Sequence, residues 1–227
     1  MIEKLNWDSK FFGYPIGKLS LKEVRTIDQL FFFDEWKSFK LLYIYSDIAL
    51  PKKYNIELVD QKVDFAKQMQ NCFKASNLIE FSHDYHSYEE LLDLVLLSGL
   101  YSRFNLDKNF CNNEFYNLYK KWIDNSLLDK NVKVLVEIRK GRLAGFITVV
   151  TNLEKNARIG LIAVNSCYKG HGIGSLLLNG AENEAIKKGD SVMKVATQLS
   201  NKPAIHLYEK NNYKKSSITY IYHLWNR

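Results

Sequence analysis

The chain has 227 residues, of which 46% are hydrophobic and 14% aromatic, so it can bury a substantial core and is not a largely disordered protein. Its net charge of +7 is spread along the sequence without a basic run interleaved with aromatic residues, which favours a small anionic ligand such as a nucleotide over nucleic acid. The three cysteines lack a C-x-x-C pair, and acidic residues interrupt both the amino-terminal segment and the longest apolar run. We therefore expect a cytoplasmic protein without a disulfide framework, zinc site, leader or membrane span.

Residues 1–78 are predicted to form a small α/β domain. The segment "KLLYIYSDIAL" is rich in aromatic and β-branched residues and stops at Pro51, and "YNIELVDQKVDFAK" alternates apolar and polar residues, so both predict strands. Before them, "TIDQLFFFDEWKSF" carries apolar residues at helical spacing behind Thr26 and Asp28, which predicts a helix. We place the end of this domain near Asn77.

Residues 79–227 are predicted to form a second, larger domain. Ser87, followed by Glu90 three residues on, is a capping box for a helix that ends at Gly99, and "NNEFYNLYKKWIDNSL" is an amphipathic second helix. Two strand runs about the turn Lys140–Gly141 predict a hairpin that continues into "ARIGLIAV", giving a three-stranded meander. After the meander, the sequence predicts a helix, a strand, a second helix and a final strand. The fold class is α/β (α+β), a mixed central sheet covered by helices, with ligands expected at the carboxyl ends of the central strands.

The stretch "YKGHGIGS" has glycines at Gly170, Gly172 and Gly174, between the apolar run "GLIAV" and a helical pattern. It does not fit the dinucleotide-binding pattern G-x-G-x-x-G, because the sixth position is serine or leucine, and it lacks the lysine of a P-loop. A glycine-rich entry leaves backbone N–H groups open at the positive end of a helix, which suits a pyrophosphate. The same glycines would also suit a tight strand-to-helix turn without any ligand.

This stretch resembles the acetyl-coenzyme A motif of the GNAT acyltransferase superfamily, R/Q-x-x-G-x-G/A, with Lys169 in place of the usual Arg or Gln. The resemblance implies the GNAT fold and acetyl-coenzyme A (acetyl-CoA) as co-substrate, with no metal. The strand before the motif is expected to pair through its backbone with the pantetheine chain, and an N–H near Ile162 to stabilise the oxyanion at the acetyl carbonyl. The coenzyme contacts implied here are Ile162, Ala163, Val164, Lys169, Gly170, His171, Gly172, Ile173, Gly174 and Ser175.

A second element, "NKPAIHLYEKNNY", resembles the GNAT pattern N-x-x-A-x-x-L-Y-E-K-x-G-F. The resemblance implies that Asn201 hydrogen-bonds the coenzyme, that Ala204 leaves room for it, and that Tyr208 reaches its sulfur as the catalytic acid. A phenol with an ordinary pKa of about 10 can donate to a thiolate whose conjugate acid has a pKa of about 8.5. The usual Gly-Phe of the pattern is Asn212-Tyr213 here. Since asparagine also tolerates the left-handed backbone that ends a helix, we expect the helix stop to survive.

The acceptor is predicted from the rest of the chain. The opening "LNWDSKFFGYPIGKL", the helical segments in the middle and the closing "YIYHLWNR" resemble the TDP-fucosamine acetyltransferase group of GNAT enzymes, in which a smaller amino-terminal α/β domain accompanies the catalytic one. The resemblance implies acetylation of the 4-amino group of a TDP-linked 4-amino-4,6-dideoxyhexose for cell-surface polysaccharide. A protein N-terminus or lysine as acceptor, or a non-catalytic acyl-CoA-binding module, stays open. We expect a small-molecule partner, neither nucleic acid nor membrane, and leave a homodimer open.

Candidate acceptor contacts come from two polar stretches. Arg103 in "YSRF" lies between Tyr101 and Phe104, so it offers a cation for a diphosphate beside an aromatic surface for a sugar or base. It would equally serve as a structural arginine that caps the preceding helix. Asp84 and His86, in "HDYH", precede the capped helix, where a substrate can touch them. The same stretch lacks the third ligand at known spacing that a metal site would need.

Overall fold

The computed structural model describes residues 2–21, 27–28, 30–31, 34–70, 72–151 and 155–226. Within this part of the chain, ten strands and six α-helices have defined bounds. Contacts within the chain divide it into two units. The first comprises Met1–Val63, Gln198–Ser200 and Ser217–Arg227, and the second Asp64–Thr197 and Asn201–Ser216. Both units are discontinuous in sequence, and the predicted domain boundary between residues 78 and 79 stays a prediction. None of the described helices is long and apolar enough to cross a membrane.

The first unit is built on strands at both ends of the sequence. Strand β2 (Ile16–Leu21) lies parallel to β3 (Leu41–Ser46) and antiparallel to β1 (Glu3–Lys4), and β3 pairs antiparallel with β10 (Lys214–Trp225). The predicted helix over residues 26–39 falls partly outside the described residues, and Glu35–Ser38 within it form a 3-10 turn. The elements are β1 (Glu3–Lys4), α1 (Asn6–Phe12), β2 (Ile16–Leu21), β3 (Leu41–Ser46), β4 (Glu57–Gln68) and β10 (Lys214–Trp225), of which β4 and β10 also contribute residues to the second unit.

The second unit contains the predicted meander and the helices around it. Strands β5 to β8 pair antiparallel in sequence order, and β9 adds parallel to β8, which makes the sheet mixed. The elements are β5 (Ile79–Glu80), α2 (Tyr88–Ser98), α3 (Arg103–Leu106), α4 (Glu114–Leu128), β6 (Val132–Arg139), β7 (Arg142–Val150), β8 (Asn156–Val164), α5 (Ile173–Lys187), β9 (Val192–Gln198) and α6 (Lys202–Lys210). The predicted hairpin turn is confirmed, with positive φ at both Lys140 (51°) and Gly141 (74°), as a tight two-residue turn requires.

Helices cover both faces of this sheet, as the fold class predicts. Phe146 packs into the buried cluster formed with α2 and α4, where Leu91 and Ile123 have no exposed surface. The adjacent Gly145 points the other way, and a Cβ there would lie 3.1 Å from Leu177 of α5. Because successive residues of a strand face opposite sides, the meander is enclosed between α2 and α4 on one face and α5 on the other.

The capping box predicted at α2 is half confirmed. The Ser87 hydroxyl accepts the Glu90 backbone N–H at 3.2 Å, as an N-cap should. The Glu90 carboxylate does not return to the cap, however. It accepts the Leu143 N–H at 2.8 Å and pairs with Arg142, so it joins the start of α2 to the start of β7.

A buried ion-pair network connects α5 to neighbouring elements. Glu182 is 2% exposed, and its two oxygens lie 2.7 Å from Lys67 Nζ and 2.5 Å from Lys74 Nζ. The Tyr213 hydroxyl donates to the same carboxylate at 2.9 Å, and burial together with this neighbouring negative charge raises the pKa of Tyr213. Glu182 thereby joins α5 to β4 and to the end of α6.

Candidate active site

The glycine-rich stretch forms the entry to α5. Gly170 and Gly172 have φ of 82° and 76°, so glycine is favoured at both positions by the backbone conformation. A Cβ at either residue would meet no atom within 4 Å, so the space in front of this backbone is open. Gly172 is the N-cap residue of α5 and provides no side chain to cap it. Five backbone N–H groups of this stretch have no hydrogen-bond acceptor among the described residues. They are those of Gly170, Gly172, Ile173, Gly174 and Ser175.

These five open N–H groups, called the cradle below, lie at the positive end of a 15-residue helix, an arrangement that suits an anion. The remaining groups of the stretch close the turn. His171 Nδ1 lies 3.0 Å from the Lys169 carbonyl, and the Tyr168 hydroxyl donates to the Arg139 carbonyl at 3.2 Å. These main-chain groups therefore fit a pyrophosphate of the kind that acetyl-CoA carries, and the contact of the Lys169 side chain with it stays a prediction.

Gly174 has a different role from the two glycines before it. A Cβ on Gly174 would lie 3.0 Å from both δ carbons of Leu207, so its small size allows α5 and α6 to approach closely. The same approach lets Asn211 Nδ2 donate to the Ser175 hydroxyl at 3.0 Å while it also donates to the Leu207 carbonyl at 2.8 Å. The two sequence elements that resemble GNAT motifs are thus brought together by packing.

Strand β8 carries a bulge in front of the glycine turn. Ile147 pairs with Ile162 and Val149 with Ile159, so Gly160 and Leu161 oppose Thr148 alone. Thr148 is buried, and its hydroxyl accepts the Leu161 N–H at 2.8 Å. A Cβ on Gly160 would lie 2.7 Å from that hydroxyl oxygen, so only glycine fits the bulge.

The bulge leaves one edge of β8 open. The parallel ladder between β8 and β9 ends at the pair Ile159 and Val195. Beyond it, Leu161 and Asn165 both direct their N–H groups toward β7, the latter to the Ala144 carbonyl at 2.9 Å. By the alternation along a strand, Ile162 and Val164 direct theirs away from β7, into the gap between β8 and β9. This edge can take an extended chain as an added strand.

Asn201 and Ala204 begin α6. Asn201 Oδ1 accepts the Ala204 N–H at 3.2 Å, which makes Asn201 the N-cap of the helix and leaves its side-chain NH₂ as a donor for a ligand. The helix stop after α6 agrees with the prediction, since Asn212 has a φ of 66° in the left-handed region.

Tyr208 lies inside the second unit at 2% exposure. Its ring packs against Phe65 at 5.6 Å and Tyr213 at 5.9 Å between centroids. Among the described residues nothing hydrogen-bonds its hydroxyl, and burial raises the pKa of Tyr208 well above its ordinary value. The group is therefore a neutral phenol whose donor has no protein acceptor.

The three predicted acceptor residues lie on the chain before and after α2. The His86 ring accepts the Ser82 N–H through Nδ1 at 2.9 Å, so it shapes the turn that also contains the exposed Asp84. The Arg103 guanidinium lies 4.4 Å from the centroid of the Phe104 ring. No group of three or more metal-ligating side chains occurs within the described ranges. Contact of these three residues with an acceptor stays a prediction.

Two features of the site were missed by sequence reasoning. The bulge had a signal, the glycine inside the strand pattern "RIGLIAV", which typically marks a bulge or a close backbone approach. The close contact of Gly174 with Leu207 had no such signal, because the two residues are 33 positions apart along the chain and meet only through tertiary packing.

The family model described as the Acetyltransferase (GNAT) family matches residues 97–213, just over half of the chain, and spans the cradle, the bulge and Tyr208. The chain belongs to the GNAT family. It is an acetyl-CoA-dependent N-acetyltransferase with the GNAT fold. Over 225 residues it is 23% identical to dTDP-fucosamine acetyltransferase of Escherichia coli O6:H1, with 96% of each chain covered. It is 26% identical over 138 residues to spore coat polysaccharide biosynthesis protein SpsD of Bacillus subtilis, covering 60% of this chain and 47% of SpsD.

Solved structures agree on the fold. A functionally unknown conserved protein from Staphylococcus epidermidis superposes with a TM-score of 0.66 at 11% identity, covering 94% of this chain and 84% of that one. A GCN5-related N-acetyltransferase from Sphaerobacter thermophilus gives 0.63 at 12% identity, covering 99% and 76%. The TM-scores support the fold of this GNAT enzyme, and at such low identity the two structures carry no information on its acceptor.

Proposed function

We propose that this GNAT enzyme acetylates the 4-amino group of a TDP-linked 4-amino-4,6-dideoxyhexose, by direct attack of the amine on the thioester. The observation that carries the chemistry is the buried Tyr208 hydroxyl without a protein acceptor. The choice of acceptor is supported by the Escherichia coli relative, which is named for dTDP-fucosamine and aligns with 96% of this chain.

The cradle and the open strand edge are the proposed coenzyme contacts. The amides of Gly170, Gly172 and the first turn of α5 bind the pyrophosphate, and the Asn201 side-chain NH₂ donates to the coenzyme beside Ala204. Ile162 and Val164 pair with the pantetheine chain through main-chain groups. When bound, acetyl-CoA supplies an acetyl group activated as a thioester.

The remaining roles concern charge during the transfer. The Ile162 N–H is a fixed donor at the open edge, and such a donor stabilises the developing oxyanion at little reorganisation cost. Tyr208 stays protonated because burial raises its pKa, and it donates its proton to the sulfur as the carbon–sulfur bond breaks. The proton that the attacking amine loses passes to water and, through solvent, restores the phenol. The apolar surroundings that disfavour a phenolate also disfavour a thiolate, so the transfer remains feasible there.

The test is an acceptor panel with purified enzyme and acetyl-CoA. The panel holds TDP-4-amino-4,6-dideoxyhexoses, UDP-glucosamine as a 2-amino sugar, and peptides with a free N-terminus or lysine. Thiol release and product mass are measured for each. We expect kcat/KM for the TDP-4-amino sugars to exceed that of the other amines by about 10²-fold or more. Acetylation of peptides alone would overturn the sugar assignment, and coenzyme binding without turnover of any amine would indicate an acyl-CoA-binding module.

A further inference from the structure

A cavity of about 590 Å³ lies between α4 and the sheet, and none of the proposed coenzyme contacts lines it. Its volume falls in the range of small-molecule sites, roughly 300 to 1,000 Å³. The carboxyl-terminal half of α4 forms one wall and strands β6 to β9 form the floor. The side chains and backbone used in the argument are those of Trp122, Asn125, Ser126, Arg158, Gly160 and Ala196.

The floor of the cavity adjoins the gap between β8 and β9. Gly160 belongs to the bulge of β8, and Ala196 directly follows Val195, the last residue of β9 that pairs with β8. A ligand in the cavity therefore has access to the open edge at Ile162. That edge is where the thioester lies if the proposed coenzyme contacts hold.

Arg158 lines the far end of the floor, and Lys194 lies beside it on the neighbouring strand. Arg158 and Lys194 are register partners on the parallel pair β8 and β9, so their side chains leave the same face of the sheet, and both are exposed. Within the described part of the chain neither makes an ion pair or a hydrogen bond through its side chain. The carboxylate on the wall, Asp129, already accepts the Asn131 N–H at 2.9 Å. A diphosphate supplies the matching negative charge for adjacent Arg and Lys side chains.

The wall between the two ends suits a sugar ring. Trp122 is held between Tyr119 at 4.8 Å and Phe104 at 5.9 Å, and its half-buried indole contributes an aromatic surface to the cavity. Asn125 and Ser126 add polar groups beside it. This composition, apolar or aromatic with a few convergent polar groups, is typical of ligand sites.

The distance along the cavity floor favours an acceptor sugar whose amine lies far from its diphosphate. Arg158 precedes Ile162 by four residues, which along a strand is roughly 10 to 13 Å, the bulge shortening it somewhat. A hexose with its diphosphate on C1 and its amine on C4 places the two groups on opposite sides of the ring. A 2-amino group lies next to C1 and would stay close to Arg158, away from the gap.

We propose that this cavity is the acceptor site, with Arg158 and Lys194 binding the diphosphate of a nucleotide-linked sugar and the Trp122 wall holding the ring so that a 4-amino group enters the gap. The inference rests on the proposed function for the identity of the acceptor. The proposed binding of the diphosphate by Arg158 and Lys194 can be tested by binding measurements alone, without turnover.

The experiment combines binding and kinetics. TDP is titrated by calorimetry into wild type, Arg158→Ala, Lys194→Ala and Arg103→Ala, with Lys121→Ala as a matched loss of an exposed cation on α4 outside the cavity. We expect Arg158→Ala to weaken TDP binding at least about tenfold and Lys194→Ala to do so less strongly, since Arg binds phosphate bidentately. For the TDP-4-amino sugar, Arg158→Ala raises KM with kcat nearly kept, and the affinity for acetyl-CoA is unchanged. Lys121→Ala matches wild type throughout.

Two results would overturn the site. One is wild-type TDP affinity in both Arg158→Ala and Lys194→Ala, and the other is loss of TDP binding in Arg103→Ala alone, which would place the diphosphate beside Phe104. Failure of the proposed function has a separate signature, no acetylation of any TDP-amino sugar by wild type. In that case TDP binding that depends on Arg158 still supports the site, and absence of TDP binding to wild type refutes it.

Discussion

Asn211 Nδ2 donates to the Ser175 hydroxyl at 3.0 Å, and this bond joins the C-cap of α6 to the first turn of α5. It lies beside the close contact that Gly174 allows with Leu207. The anion cradle on α5 and the helix that carries Tyr208 are consequently held in one arrangement. Asn211 and Leu207, which lie outside the proposed coenzyme contacts, therefore help to set the geometry of those contacts.

Replacing Gly172 with alanine tests the cradle. Its φ of 76° disfavours any residue with a Cβ, so Gly172→Ala should destabilise the protein by about 1 to 2 kcal/mol. Because the new methyl group would occupy the open space in front of the cradle amides, we also expect affinity for acetyl-CoA to fall at least about tenfold, or about 1.4 kcal/mol. Calorimetric titration and thermal unfolding measure the two effects.

The matched control is Gly141→Ala in the β6–β7 turn. Gly141 has a φ of 74° and equally open space, so the cost in stability should be similar. Its affinity for acetyl-CoA should be that of wild type. Equal losses of affinity in both variants would mean that destabilisation alone, and no cradle, explains the effect.

Tyr208→Phe tests the proposed acid. The hydroxyl has no protein partner among the described residues, so stability should change little, while kcat falls by ~10² to 10⁴ with affinity for acetyl-CoA retained. Burial raises the pKa of Tyr208, so its ionisation should cause no fall in wild-type kcat up to its ordinary pKa of about 10. A pH profile of kcat between pH 7 and 10 checks the sign of the shift.

Tyr213→Phe provides the comparison for Tyr208→Phe. Both rings are buried, but Tyr213 donates to Glu182 at 2.9 Å, so its loss should cost about 1.5 to 3 kcal/mol of stability with kcat largely preserved. The acid role of Tyr208 would be refuted by a kcat for Tyr208→Phe equal to that of wild type.

Glu182→Gln tests the buried ion-pair network. The substitution keeps the side-chain volume but leaves two lysines without their counter-ion, and we expect urea unfolding to show a loss of about 3 kcal/mol. Glu184→Gln, on the same helix, removes only a pair with Lys187 three residues on and should cost less than ~1 kcal/mol. Similar losses in the two variants would show that the network contributes no more than a surface pair.

Asp190→Asn should stabilise the protein at neutral pH. Asp190 is 5% exposed, its carboxylate oxygens have no hydrogen-bond partner in the described part of the chain, and burial raises its pKa. A raised folded pKa means that the native state binds more protons, so this group lowers stability as pH rises above its unfolded pKa of about 3.9. Removing the charge should therefore raise the free energy of unfolding at pH 7 and leave it nearly unchanged at pH 3.

Urea unfolding of Asp190→Asn at both pH values checks this prediction. Asp93→Asn, at an exposed position on α2, is the control and should leave stability unchanged at either pH. A loss of stability in Asp190→Asn at pH 7 would indicate that the carboxylate gains from its native surroundings.

Short-range signals predicted much of the fold. The Ser87 cap, the Lys140–Gly141 turn and the Asn212 helix stop each depend on a few adjacent residues, so the sequence sufficed for them. The prediction that the Glu90 carboxylate returns to the helix cap was wrong, because β7 brings the Leu143 N–H within 2.8 Å of that carboxylate. A tertiary partner replaced the local one.

The sequence by itself determined the family, and it predicted where the coenzyme binds, because a local glycine pattern is enough to leave the backbone amides of the cradle open. Only the tertiary structure decided what surrounds that site. The gap beside Ile162, the contact of Gly174 with Leu207, and the pairing of Arg158 with Lys194 all join segments distant along the chain. Such contacts depend on sheet register and on helix packing. A pattern of neighbouring residues is not sufficient to specify the register or the packing.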